Sequence, residues 1–280
     1  MGAIIALVGL GCGVYSGLAT NVVNNEPVHE TYFKHQTDLF DAAYALDNNQ
    51  STNSEIRGLL VNHHLLAANL IAQAFNKVDG DQINTVILLS PNHFDAGVGN
   101  FLTTIGTWQT PYGELRADTK LIIHLAKKGL VKIDPAPFDA EHGVGNIVPF
   151  VRKSLPKAKI VPIIFNNRVT LVDVLDWGEQ IAGLLPKGVL IVASIDMSHM
   201  MPESIANQQD KITIGAITQM DPELASQRPI DAPKVLAVLL QLMQKLGADN
   251  WQLLARSSSA ILSDSKNPID NTSYITGFFY

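Results

Sequence analysis

From Arg57 onward, short unbroken apolar runs alternate with longer stretches in which apolar residues recur every three or four positions. The runs are 58–64 (GLLVNHH), 85–90 (TVILLS), 159–165 (KIVPIIF) and 188–196 (GVLIVASID). Unbroken apolar runs of this length describe strands buried on both faces. The periodic stretches 65–78, 117–129, 171–185 and 232–247 describe amphipathic or buried helices, with Gly80 and Gly129 as stops for the first two. Residues 101–113 mix strand and turn signals, and 251–260 and 272–280 read as late strands. Strands alternating with helices predict an α/β fold, a three-layer sandwich around a mostly parallel or mixed sheet. Residues 55–280 show no internal repeat or low-complexity linker and read as one domain.

Ahead of this regular region the pattern weakens. Residues 28–47 have broken helical periodicity and run into a polar loop, NNQSTNSE, so 26–54 reads as a linker or N-terminal extension. The first 25 residues carry no charged side chain, and 3–19 are mostly small and apolar. That length falls between a signal-peptide core and the roughly 20 apolar residues of a membrane span. Residues 1–25 therefore read as a leader, an export signal or membrane anchor acting through 3–19, with a cytoplasmic protein as the alternative.

Composition narrows the functional classes. Of 280 residues, 46% are apolar and 16% charged, enough to build a substantial core. The net charge is −6 and no basic run exceeds two residues, which excludes a phosphate-backbone footprint and argues against nucleic acid. Cys12 is the only cysteine, so neither an internal disulfide nor a cysteine-rich metal site is available.

Candidate chemistry gathers where the strands end. In open α/β sheets ligands bind beyond the carboxyl ends of the strands. There the chain places His63 and His64, His93, and Asp196 with His199; a connecting segment adds Asp139, Glu141 and His142. Imidazoles and carboxylates are the ligand set for iron, zinc or manganese, and also an acid/base set. In LLSPNHFDAGVGN, Pro91 ends a strand and presents His93, and the glycines that follow are expected to let the backbone approach a ligand closely. His29, His35 and His124 read as structural.

In order along the chain, NHHLLAANLIAQAF, LLSPNHF, TPYGELRAD, DAEHGVGNIVPFV, IVPIIF and VASIDMSH resemble the blocks of the Memo-like family, whose prokaryotic members include protein B of the AmmeMemoRadiSam system. The match is good over about residues 57–200. The resemblance implies a fold similar to class III extradiol ring-cleaving dioxygenases, which hold Fe(II) through two histidines and a carboxylate. Carried onto this chain, it implies His63 and His93 as metal ligands and His142 as the histidine of the family's EH pair. His199 falls at the acid/base position, with Asp196 orienting it. Asn62 stands in place of the family's proline, and Gly145 and Asn146 stand at or beside its second Glu and His. The family's cysteine ligand has no counterpart, since Ala225 or Ser226 falls there; Glu141, His142 and Glu223 are the substitutes for a third ligand, with Glu141 adopted.

Two readings follow. One is a divalent-metal oxidoreductase, with Fe(II), acting on a small molecule or peptide and partnered by a radical-SAM protein. The other is a non-enzymatic binder of metal, peptide or metabolite. A hydrolase of the serine-elbow or phosphate-loop type lacks its motifs: no GxSxG and no glycine-rich loop ending in Lys-Ser/Thr is present.

Overall fold

The computed structural model describes residues 26–46, 52–263 and 271–280. The leader expected at 1–25 lies outside the described residues. Among those described, no helix is long and apolar enough to cross a membrane.

Eleven strands are described: β1 (Val28–Glu30), β2 (Gly58–Val61), β3 (Thr85–Pro91), β4 (Phe101–Thr103), β5 (Thr107–Thr110), β6 (Gly113–Leu115), β7 (Lys132–Ile133), β8 (Lys159–Phe165), β9 (Val189–Ser194), β10 (Trp251–Ser258) and β11 (Ser273–Phe279). Eight form the main sheet, in the order β10-β11-β2-β9-β3-β8-β4-β7, and β1-β5-β6 form a small second sheet. The central four, β2, β9, β3 and β8, are mutually parallel. β4 and β11 pair antiparallel to them, so the sheet is mixed.

Alternation along the central strands explains why their runs are apolar without a break. Leu60, Ile87, Leu89, Val161, Ile163, Ile191 and Ala193 enter one core. Their neighbours Leu59, Val61, Val86, Leu88, Ile160, Ile164, Leu190 and Val192 enter the other. Successive side chains point to opposite faces, so both parities must be apolar when both faces are covered. Helices Thr119–Lys127, Leu171–Ala182 and Pro233–Lys245 cover the first face; Thr37–Ala45, Ala68–Phe75 and Val148–Ser154 cover the second. This is the three-layer α/β arrangement that the pattern predicts.

Residues 28–45 are integral to this body rather than a linker. β1 pairs parallel with β5, and Phe40, fully buried, sets its ring edge-on to Phe150 at 5.2 Å. His29 is structural, bonded at 2.8 Å to both Asp139 and Thr104. Asp139 is thereby spent on the second sheet. His35 and His124 are exposed. Helix Glu203–Thr218 has no counterpart in the apolar pattern because only a few of its positions are buried.

A cluster of three imidazoles at the carboxyl edge of the sheet

β2, β3 and β9 run parallel, so the residues that follow them emerge along one edge. β3 ends at Pro91, and the next amide, Asn92 N–H, still bonds Phe165 O at 2.9 Å. The Asn92 side chain then braces a turn: Oδ1 accepts from Ala96 N at 3.1 Å and Nδ2 donates to Ala96 O at 2.8 Å. His93 leaves the strand at the start of that turn. His63 emerges two residues after β2, and His142 opens the short helix His142–Gly145, whose N-cap is Glu141.

His63, His93 and His142 each offer one ring nitrogen, and these nitrogens lie within 4.8 Å of one another. The three could hold a metal ion. The His93 and His142 rings lie 3.9 Å apart, tilted by 31°. His63 meets both edge-on, at 4.9 and 5.3 Å. His63 is buried; the other two are half-buried.

What lies behind the rings fixes which nitrogen faces inward. Ser194 Oγ donates to Gly143 O at 2.7 Å, so it must accept from His63 Nδ1, 3.1 Å away. Neutral His63 therefore keeps its lone pair on Nε2. Glu141 takes the same part for His93: Oε1 accepts from Nδ1 at 2.6 Å and Oε2 from the backbone N–H at 2.9 Å. Outer groups of this kind orient metal-binding histidines and raise their basicity. Asn146 Nδ2 donates to His63 O at 3.0 Å, tying the short helix to the β2 end.

Gly143 lets these pieces approach. A Cβ there would stand 2.2 Å from Ser90 Oγ and 3.1 Å from Glu141 Oε1. The glycines after His93 do something else, and the expectation that they admit a ligand is corrected. Gly97 and Gly99 have φ of 78° and 151°. A Cβ on Gly97 would meet Leu102 at 2.7 Å and Asp134 at 2.9 Å, so these glycines route the loop over β4.

The structure distributes the other expected site residues differently. Glu141 is buried behind His93 with both oxygens engaged and also accepts from Gly143 N at 2.9 Å, so in this geometry it supports the His93 ring and does not itself face the space the three imidazoles share. Asp196 borders the cluster: Oδ1 accepts from His63 N at 3.0 Å, and Oδ2 is 3.8 Å from His63 Nε2. His199 does not join it. Met197 N bonds Ser273 O and Ser198 Oγ bonds buried Asp210, which anchor the chain beside β11 and turn His199 outward; it is exposed, and its backbone bridges to Thr272. Glu223 is exposed on the helix Pro222–Ser226. His64 is exposed and shares a 2.6 Å hydrogen bond between Nδ1 and Tyr274 OH. The pattern gave no signal for Asp231, whose Oδ2 lies 3.3 Å from His63 Nε2 and 3.7 Å from His93 Nε2.

Packing three imidazoles together separates their proton affinities. Burial pulls His93 down, but the neighbouring Asp231 carboxylate and the bond to Glu141 outweigh this and hold it up at about 9. Burial, then the charges of His93 and His63, push His142 down to about 4. Burial alone would raise Glu141; the bonds from His93 outweigh it and hold the carboxylate below its ordinary value. In metal-free protein His93 is thus expected to keep its charge at pH 7 and lose it only as pH rises through about 9. His142 should stay neutral until pH falls to about 4. Imidazole NMR titration checks this; two rings titrating together near the ordinary value of about 6.5 would contradict it.

These features define a mixed α/β protein in which two parallel strands and a short helix bring three histidines together at a site that could hold a metal ion. The chain belongs to the Memo-like protein family, whose model matches residues 30–274. A MEMO1 family protein of Methanocaldococcus jannaschii is 30% identical over 199 residues, 65% of this chain and 68% of that protein. A second, from Methanothermobacter thermautotrophicus, is 29% identical over 175 residues, 59% of this chain and 62% of that protein. A third, from Nitrosopumilus maritimus, is 27% identical over 236 residues, 79% of this chain and 85% of that protein. Among solved structures, an uncharacterized protein from Escherichia coli K12 superposes with a TM-score of 0.51 at 12% identity, covering 79% of this chain and 99% of that one, and so shares the fold.

Proposed function

We propose that the cleft binds a divalent metal, Fe(II) by preference, and serves a dioxygenase-like oxidoreductase. The observation that carries this reading is the convergence of His63, His93 and His142, with the first two rings locked from behind so that Nε2 faces the shared space. The donor set fits such an ion: imidazole nitrogens suit iron, and the buried Asp231 Oδ1 has no hydrogen-bond partner among the described residues. When bound, the ion would supply Lewis acidity and redox capacity. The chain's own residues would position it: Ser194 and Glu141 hold the rings, and Asp196 fixes the backbone at His63 and His64. The carboxylates of Asp196 and Asp231 border the histidine cluster, a place that His199 does not reach.

Elemental analysis of protein purified without chelator tests this. Wild type should carry metal near one per chain, and His93→Ala should carry almost none. Equal metal in both, or none in wild type, defeats the assignment. Oxygen uptake with a catechol panel then separates turnover from binding.

A second reading, a non-enzymatic binder, draws on a side chain beside the site. Phe94 follows His93, is 60% exposed and lies 6.3 Å from the His142 ring. A peptide or apolar metabolite would cover it. Metal binding without oxygen consumption across the panel would favour this reading.

A further inference from the structure

We infer that Asp231 is itself a metal ligand, completing the site with a carboxylate where the sequence offers neither cysteine nor a second glutamate. The inference rests on the metal reading of the cleft and adds one residue to it. Three observations carry it.

The first is position. Oδ2 of Asp231 faces the inward nitrogens of two separate histidines, 3.3 Å from His63 Nε2 and 3.7 Å from His93 Nε2. Neighbouring ligands on an ion with bonds of about 2.1 Å stand about 3.0–3.4 Å apart, for angles between a right angle and the tetrahedral value. The observed spacings come within a few tenths of an ångström of that range. They are long for the charge-assisted hydrogen bonds that a carboxylate and an imidazole make when nothing stands between them, about 2.7–2.9 Å.

The second is incomplete satisfaction. The Asp231 side chain is only 10% exposed, and Oδ1 is buried without a hydrogen-bond partner among the described residues. Its one firm bond is to Oδ2, from Asp196 N at 3.2 Å. A buried carboxylate oxygen left without a donor is costly, and a cation is the usual remedy. Glu141 shows the contrast, since three N–H groups occupy its two oxygens.

The third is how the residue is held. Asp231 N donates to Asp196 O at 3.3 Å, while Asp196 N donates back to Asp231 Oδ2. This reciprocal pair pins the segment before helix Pro233–Lys245 against the end of β9. The carboxylate is therefore fixed beside the His63 ring and is not a mobile surface acid.

Two histidines and one carboxylate leave other positions open and favour iron or manganese over soft ions. His142 would be a further nitrogen beside this set. Cobalt(II) is the probe, because its visible spectrum reports ligand number and type. Wild type, Asp231→Asn, Asp231→Ala and Asp231→Cys would be compared by anaerobic titration, with circular dichroism to verify the fold of each. Asn and Ala should weaken cobalt binding by more than about 100-fold, beyond the roughly 10–100-fold typical of an outer-shell partner. They should also change the d–d bands. Asp231→Cys should add a thiolate-to-cobalt charge-transfer band that wild type, whose only cysteine is Cys12, does not show.

Unchanged affinity and spectra in Asn and Ala, with no thiolate band in Cys, overturn the inference and leave the three-histidine site standing. If Asn or Ala fails to fold, the band in the Cys variant decides alone. No cobalt bound by wild type removes both this inference and the metal reading beneath it.

Discussion

Glu141→Ala is expected to destabilise the protein by about 3–5 kcal/mol, the range for removing one partner of a buried, hydrogen-bonded pair. The carboxylate is almost fully buried and accepts from the His93 backbone, the His93 ring and the Gly143 backbone. Alanine strands all three donors, two of them backbone groups with no other partner among the described residues, and removes the N-cap of the helix that carries His142. It also frees the His93 ring to rotate, so metal affinity should fall by about 10–100-fold as well. Glu141→Gln keeps the shape and one acceptor oxygen and should recover part of the loss. Chemical denaturation alongside metal titration reads both quantities. A loss below about 1 kcal/mol for alanine would mean that the carboxylate does not bridge these groups.

Gly143→Ala is expected to be nearly as damaging, through overlap instead of lost bonds. The added methyl would fall 2.2 Å from Ser90 Oγ, 3.1 Å from Glu141 Oε1 and 3.2 Å from the His93 ring. Overpacking a buried site of this kind costs about 1–3 kcal/mol. Here the forced shift would pass directly to His93 and its carboxylate. Ser90→Ala removes the worst of the contact, so Gly143→Ala combined with Ser90→Ala should be more stable than Gly143→Ala alone. A double-mutant cycle measures that coupling, and additivity of the two substitutions would refute the contact.

Much of this architecture can be read from the chain because burial on both faces leaves a plain signature. The central strands had to be apolar at every position, and parallel strands place their ends together. Hence His63 and His93, thirty residues apart in sequence, were legible as neighbours, and His142 joined them through its family block. The supports were less visible. Ser194 is an ordinary small residue at a strand end, and only the neighbouring Gly143 carbonyl turns its hydroxyl into an acceptor for His63. Gly143 sat in a glycine-containing segment whose close approach the sequence does not reveal, whereas the better-marked glycines at 97 and 99 serve a turn. Asp231 precedes Ala-Pro at a helix start and resembles a residue placed for capping, yet the cap position is Ala232. His199 misled for a local reason: the Ser198 side chain bonds Asp210, and the chain beyond Asp196 is drawn toward β11 before the histidine is reached.

The strand order carries a consequence for synthesis. β9, which arrives late in the chain, lies between β2 and β3, which arrive early, with Val61 opposite Ser194 and Leu89 opposite Ala193. A nascent polypeptide emerging from the ribosome with both early histidines exposed still lacks the wedge that sets their spacing. Until translation has passed Ser194 and that strand has inserted, the growing chain has two loose imidazoles and no cradle, so an ion-holding site could form only once the fold is made.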